Sequence, residues 1–120
     1  MKTILIVEDV ALNRDLLVQL LEDAYRLVLA EDGVDALKRA AEVRPDLILM
    51  DLSLPNMDGW EATRRLKADE TLAHIPVIVL SAHAMRSHEE RARASGCDDF
   101  LTKPLDETLL FEKIARYLGN

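Results

Sequence analysis

Four short apolar runs punctuate the chain, each followed by polar turn residues and then by a stretch with helical spacing. Thr3 to Val7 (TILIV), Arg26 to Ala30 (RLVLA), Leu47 to Met50 (LILM) and Val77 to Leu80 (VIVL) each end at an acidic residue or a serine and read as strands. Asp99 to Thr102 (DFLT) predicts a fifth, shorter strand. Between the strands the period changes. Leu16, Leu17, Leu20, Leu21 and Ala24 fall on one face of a helix expected over residues 11–23, with Val18 off that stripe. A turn at Glu31, Asp32 and Gly33 leads into a second helix, expected to pack through Val34, Leu37, Ala40 and Ala41 and to stop at Arg44, Pro45 and Asp46. A third helix is predicted from Asp58 to Ala68 with Trp60, Ala62 and Leu66. A fourth runs from Met85 to Ser95 and is ended by Gly96. The last runs from Asp106 to Leu118, with Leu109, Leu110, Ile114 and Leu118 inward.

Strand and helix alternate five times with short connections, which predicts an α/β fold: a parallel sheet covered by helices on both faces. The run Leu47 to Met50 has no polar position, as expected of a central strand buried on both sides. Right-handed crossovers restrict the topology to a few arrangements. Nothing in the pattern marks a linker, a repeat or a low-complexity segment, so one domain over residues 1–120 is expected.

Composition narrows the function classes. Hydrophobic residues make up 49% of the 120 positions, enough for a core, and charged residues 31%. The formal charge of −7 disfavours nonspecific nucleic-acid binding, which lysine and arginine drive. No apolar run is long enough to span a bilayer, and the N-terminus turns acidic at Glu8, unlike a signal peptide. A single cysteine, Cys97, cannot close an internal disulfide, which fits a cytoplasmic setting. His74, His83 and His88 have no metal-ligand spacing with it, which argues against zinc.

The polar residues that end the strands carry the candidate chemistry. In a parallel sheet every strand's carboxyl end lies on one edge, where open α/β sheets bind their ligands. Glu8 and Asp9 follow the first strand, Asp51 ends the third, Ser81 the fourth and Lys103 the fifth. Taken singly, each has an ordinary reading as a helix cap, a turn or a solvated charge. Together they converge on one rim. Three carboxylates in one cleft repel one another unless a cation intervenes, and magnesium favours such oxygen ligands. Glu8, Asp9 and Asp51 suit that role, Lys103 adds a second positive charge, and Ser81 a neutral hydrogen-bond donor. Phosphoryl transfer to a carboxylate needs this set, with Asp51 as the nucleophile because it is central.

The stretches ILIVED, LILMDLSLPNMDG, VIVLSA and FLTKP together resemble the receiver domain of two-component response regulators, and the resemblance covers essentially the whole chain. It implies a five-stranded sheet in the order 2-1-3-4-5 with five helices, the flavodoxin-like arrangement. It implies that Asp51 accepts a phosphoryl group from a phosphohistidine on a sensor histidine kinase or histidine phosphotransfer protein. It further implies that Glu8, Asp9, Asp51 and the backbone carbonyl of Ser53 bind Mg2+, and that Ser81 and Lys103 hold the phosphoryl oxygens. Ser81 and Phe100 would be the switch pair, Phe100 turning inward as Ser81 moves, to alter a surface read by a downstream protein. Phe100 can equally be read as an ordinary core aromatic. Ser53 and His83 occupy positions that tune hydrolysis in the family, though a histidine in a loop is also simply solvated. The first helix is the family's docking element for the donor, and the Lys103–Pro104 bond is one that is often cis. The segments LAHIPVIVLSAHAM and GCDDFLTKPL are similar to single-domain regulators of the polar cell-division type.

Three rivals belong to other classes. A flavodoxin would need a phosphate-cradling loop after the first strand, where Glu8 and Asp9 stand instead. A phosphatase of the aspartyl-phosphate type would carry an Asp-x-Asp pair, but Leu52 and Ser53 follow Asp51. A receiver-like module that only binds protein would have no need of the intact set. The sequence stops soon after the last helix, so a stand-alone receiver or one excised from a larger hybrid kinase or regulator is expected.

Overall fold

The computed structural model describes residues 1–82 and 86–119, with the side chains of residues 86–89 and 92 left aside. Strands β1 (Thr3–Val7), β2 (Arg26–Ala30), β3 (Leu47–Asp51), β4 (Val77–Ser81) and β5 (Asp99–Thr102) alternate with helices α1 (Ala11–Leu21), α2 (Gly33–Val43), α3 (Gly59–Ala68), α4 (Arg86–Ser95) and α5 (Glu107–Leu118). All neighbouring strands are parallel, in the order β2-β1-β3-β4-β5. β3 is central and fully buried, as its unbroken apolar run predicts.

Alternation along the strands feeds two cores. Ile4, Ile6, Leu47, Leu49, Ile78 and Leu80 face α1 and α5, meeting Leu17, Leu21, Leu110 and Ile114. Leu5, Val7, Ile48, Met50, Val77 and Val79 face α2 and α3, meeting Ala36, Ala40, Ala62 and Leu66. α4 lies against α3. Each large side chain fully buried this way contributes ~1.5–3 kcal/mol through removal from water. The alanines of α2 and α3 let those helices sit close to the sheet.

The strand positions agree with the sequence pattern almost residue for residue; the helix faces differ in five places. Leu16 and Ala24 are exposed, because α1 turns Leu17 and Leu21 to the sheet, with Val18 and Leu20 packed at the margins. α1 also ends two residues earlier than expected, at Leu21. In α2 it is Gly33, Ala36 and Ala40 that face inward, while Val34 and Ala41 point to solvent. The reason is nonlocal. A Cβ on Gly33 would stand 2.2 Å from the Met57 carbonyl oxygen, so glycine lets the first turn of α2 dock on the β3–α3 loop and thereby sets the helix rotation. In α5, Leu110 and Ile114 take the inward positions and Leu109 is left exposed. Met85, expected to open α4, lies outside the described residues.

A candidate phosphoryl-acceptor site at the sheet's carboxyl edge

The rim is assembled by backbone. The Glu8 amide donates to the Ala30 carbonyl at 3.0 Å, extending the β1–β2 ladder one residue past β1 and fixing Glu8 at the strand end. Asp51 is the last residue of β3 and pairs in register with Leu80. Immediately beyond, the chain folds back so tightly that a Cβ on Gly59 would stand 2.3 Å from the Asp51 carbonyl oxygen, and the Gly59 amide donates to the Leu52 carbonyl at 3.2 Å. Glycine at 59 therefore permits the start of α3 to lie against the backbone of the aspartate. Asp58 caps that helix, its carboxylate accepting from the Glu61 amide at 2.9 Å. The Lys103 amide donates to the Ser81 carbonyl at 2.7 Å, so the ends of β4 and β5 are clasped together. The Lys103–Pro104 peptide is cis.

Three carboxylates meet here. One oxygen from each of Glu8, Asp9 and Asp51 lies within 4.8 Å of the others. Glu8 and Asp51 are buried, 1% and 4% exposed, and Asp9 is open to solvent. Lys103 Nζ reaches Asp51 Oδ1 at 2.8 Å and Glu8 Oε1 at 3.3 Å. One ammonium against three carboxylates leaves a net negative pocket. Burial, and next the charge of Asp51, push the Glu8 carboxyl above its ordinary range, although Lys103 and the Val10 amide pull the other way. For Lys103, burial alone would lower its affinity for a proton. The hydrogen bond and charge of Asp51, followed by Glu8, outweigh it and hold the ammonium above its ordinary value.

The donor set fits a hard divalent cation. All three ligands are oxygens, two of them are withdrawn from water, and the lysine compensates only one charge. Among the described residues no other group of three or more acidic, histidine or cysteine side chains converges in this way.

The other residues singled out from sequence fall as follows. Ser81 is buried at the end of β4, opposite Thr102 of β5. Ser53 is exposed in the loop after β3. Phe100 is half-buried on β5 and packs against the α2–α3 side of the core. His83 lies outside the described residues. Two supports of the rim are visible in sequence only as a residue flanking an acidic turn and a member of another, without their partners. Arg14, on α1, donates to the Glu8 carbonyl at 3.2 Å and pairs with Glu31 at 3.9 Å, behind the acidic turn. Asp32 caps α2 and accepts from Asn56 at 2.7 Å, latching the β2–α2 turn to the loop that carries Ser53. A glycine after an acidic turn was the only local signal for that latch.

Comparison with known proteins agrees with this construction. The profile of the response regulator receiver domain matches residues 4–115. The chain is 45% identical over 120 residues to the polar-differentiation response regulator DivK of Brucella anthropi, covering 99% of this chain and 98% of the relative. It superposes with a TM-score of 0.93 on the signal receiver domain of a signal transduction histidine kinase from Syntrophus aciditrophicus, at 35% identity over 99% of this chain and 91% of that one. A TM-score of 0.91 and 36% identity relate it to the receiver domain of the sensor histidine kinase PA1611 of Pseudomonas aeruginosa, over 99% of this chain and 98% of that one. That structure holds a magnesium ion coordinated in its active-site cleft. With the fold, the acidic rim and a profile match that spans nearly every residue in agreement, this chain belongs to the response regulator receiver domains of two-component signalling.

Proposed function

We propose that residues 1–120 act as one phosphoacceptor domain, taking a phosphoryl group onto Asp51 from a phosphohistidine of a sensor histidine kinase or histidine phosphotransfer protein in the cytoplasm. The observation that carries the reading is the contact of Lys103 Nζ with Asp51 Oδ1 at 2.8 Å inside a pocket of excess negative charge. An Asp51 oxygen would attack phosphorus as the phosphorus–nitrogen bond of the donor breaks, and the imidazole would leave with that electron pair and take up a proton. Lys103 meets the charge on the transferring oxygens, and the Ser81 hydroxyl donates a hydrogen bond to one of them. Glu8, Asp9, Asp51 and the Ser53 backbone carbonyl would hold Mg2+, whose charge further neutralises those oxygens. The reaction is the domain's own modification and its reversal rather than turnover of a separate substrate. Ser53 and His83, each two positions along the chain from Asp51 and Ser81, tune loss of the phosphoryl group. Phe100 follows Ser81 and changes the surface offered to a downstream protein.

Donor docking has a matching surface. Leu12 and Leu16 of α1 stand exposed one helical turn apart, 70% and 51% accessible. A groove of about 640 Å³ runs between α1 and the segment Lys103–Leu105, apolar along Leu16, Leu17 and Leu20 and ending at Glu8 and Lys103. Such a groove suits the apolar side of a helix that presents its histidine to the acid pocket. Among the described residues no helix is long and apolar enough to cross a membrane.

Intact mass after incubation with magnesium and acetyl phosphate tests the proposal. One added phosphoryl group is expected on the wild type, none on Asp51→Asn, and none after chelation. Absence of an adduct together with failure to bind beryllofluoride would overturn it.

A further inference from the structure

Phe100 is held from outside the sheet by α5. β5 is an edge strand: among the described residues no strand lies beyond it. Side chains take the place of such a neighbour. The Asp99 carboxylate accepts the Phe100 amide at 2.8 Å, and Lys113 of α5 donates to the Phe100 carbonyl at 3.1 Å. The Lys113 ammonium is also bonded to Asp99, which Arg116 approaches at 3.3 Å and the Tyr117 hydroxyl at 3.4 Å. Thus anchored, the ammonium lies 5.9 Å from the centroid of the Phe100 ring. The lysine side chain is only 16% exposed, so the contact is partly shielded from water.

We propose that Lys113 is a positioning residue for the switch: it favours the half-buried placement of the Phe100 ring over one turned toward Ser81, and so sets how readily the domain activates. The inference rests on the phosphoacceptor and switch reading above. The cation–ring contact is present in one of two packings. The ammonium is fixed by two oxygens of β5, the Asp99 carboxylate and the Phe100 carbonyl, so it cannot follow the ring inward. A ring that turns toward Ser81 leaves the cation behind. A contact made in one state alone shifts the ratio of the two by its own strength, and a ligand that needs the other state binds more weakly by the same factor.

The test uses Lys113→Met, which keeps an unbranched stem and removes the charge, and Lys113→Arg, which keeps the charge. Beryllofluoride binding in the presence of magnesium reads the activation equilibrium. Fluorophenylalanine labelling reads the ring, with Phe111→Leu to assign the two signals. Lys113→Met is expected to tighten beryllofluoride binding about two- to fivefold, the range of a partly shielded cation–π contact. It should also move the Phe100 signal of the free protein toward its bound position. Lys113→Arg should restore both, and in a Phe100→Leu background Lys113→Met should leave the affinity unchanged. An equal change in affinity with and without the ring would show Lys113 acting only through the strand edge and overturn the inference. So would wild-type affinity in Lys113→Met. A Phe100 signal that beryllofluoride fails to move in the wild type removes the switch itself; a signal that moves identically in wild type and Lys113→Met removes only the role of Lys113.

Discussion

The two ends of the sheet use the same residue types to opposite effect. At the amino edge, carboxylates are matched. Asp46 accepts the Thr3 amide at 2.8 Å, tying β3 to the start of β1. Asp98 accepts the Val77 amide at 2.8 Å and pairs with Lys67 at 2.7 Å. Lys67 completes its shell with the Ala73 and Ile75 carbonyls at 3.1 and 2.7 Å. At the carboxyl edge, Glu8, Asp9 and Asp51 converge, Lys103 bridges Glu8 and Asp51, and burial with the charge of Asp51 raises the Glu8 carboxyl above its ordinary range. A matched carboxylate holds the fold together. An unmatched cluster is held together by the fold, and its unspent charge is what a cation and a phosphoryl group can use.

The contrast can be broken from either end. The largest effect is expected at the rim. Magnesium in hundredfold excess over its Kd should stabilise the wild type by about 2.7 kcal/mol, a gain that follows from binding to the folded state alone. Glu8→Gln should lose most of that gain, yet be no less stable than the wild type when magnesium is absent, because a buried charge and a repulsion go together. Thermal unfolding with and without the ion measures both. A Glu8→Gln protein that is markedly less stable without magnesium would mean that Glu8 is structural after all. At the other end, Lys67→Met should cost about 2 kcal/mol in urea unfolding, since a charged donor to three oxygens is removed. It should leave the rate of phosphorylation by acetyl phosphate unchanged.

The strands and the rim were legible in the sequence because both follow from periodicity and from the parallel arrangement. Placing Glu8 beside Lys103, 95 positions away, required only that both end strands of one sheet. Helix rotation was not legible. Whether Val34 or Ala36 faces inward is decided by how closely Gly33 approaches Met57, a contact between segments far apart in the chain. The Lys67–Asp98 pair and the Lys113–Asp99 pair were hidden for a different reason. Long side chains on helix surfaces look alike in sequence, and only their reach past a strand end or a strand edge distinguishes them.

The smallest expected effect concerns a rim carboxylate that is matched. The Asp35 amide and then the Asn56 side chain hold the Asp32 carboxyl below its ordinary range. A depressed folded-state value means that Asp32 adds stability above its unfolded value and loses it as pH falls through the folded one. Wild type and Asp32→Asn should therefore differ slightly in stability near neutral pH and converge on acidification. Denaturant midpoints across an acid pH series would show it. A gap that widens on the acid side would place Asp32 with the unmatched group instead.

The bond from the Lys103 amide to the Ser81 carbonyl has an evolutionary consequence. It closes the excursion from the end of β4 through α4 to the end of β5 at its base, like a drawstring. Surface residues of that excursion outside the β4–β5 ladder can be exchanged to suit a new listener while the clasp and the ladder keep the serine and lysine backbones at the same spacing. Lineages of such domains can thus diversify in whom they address without renegotiating the chemistry that they report.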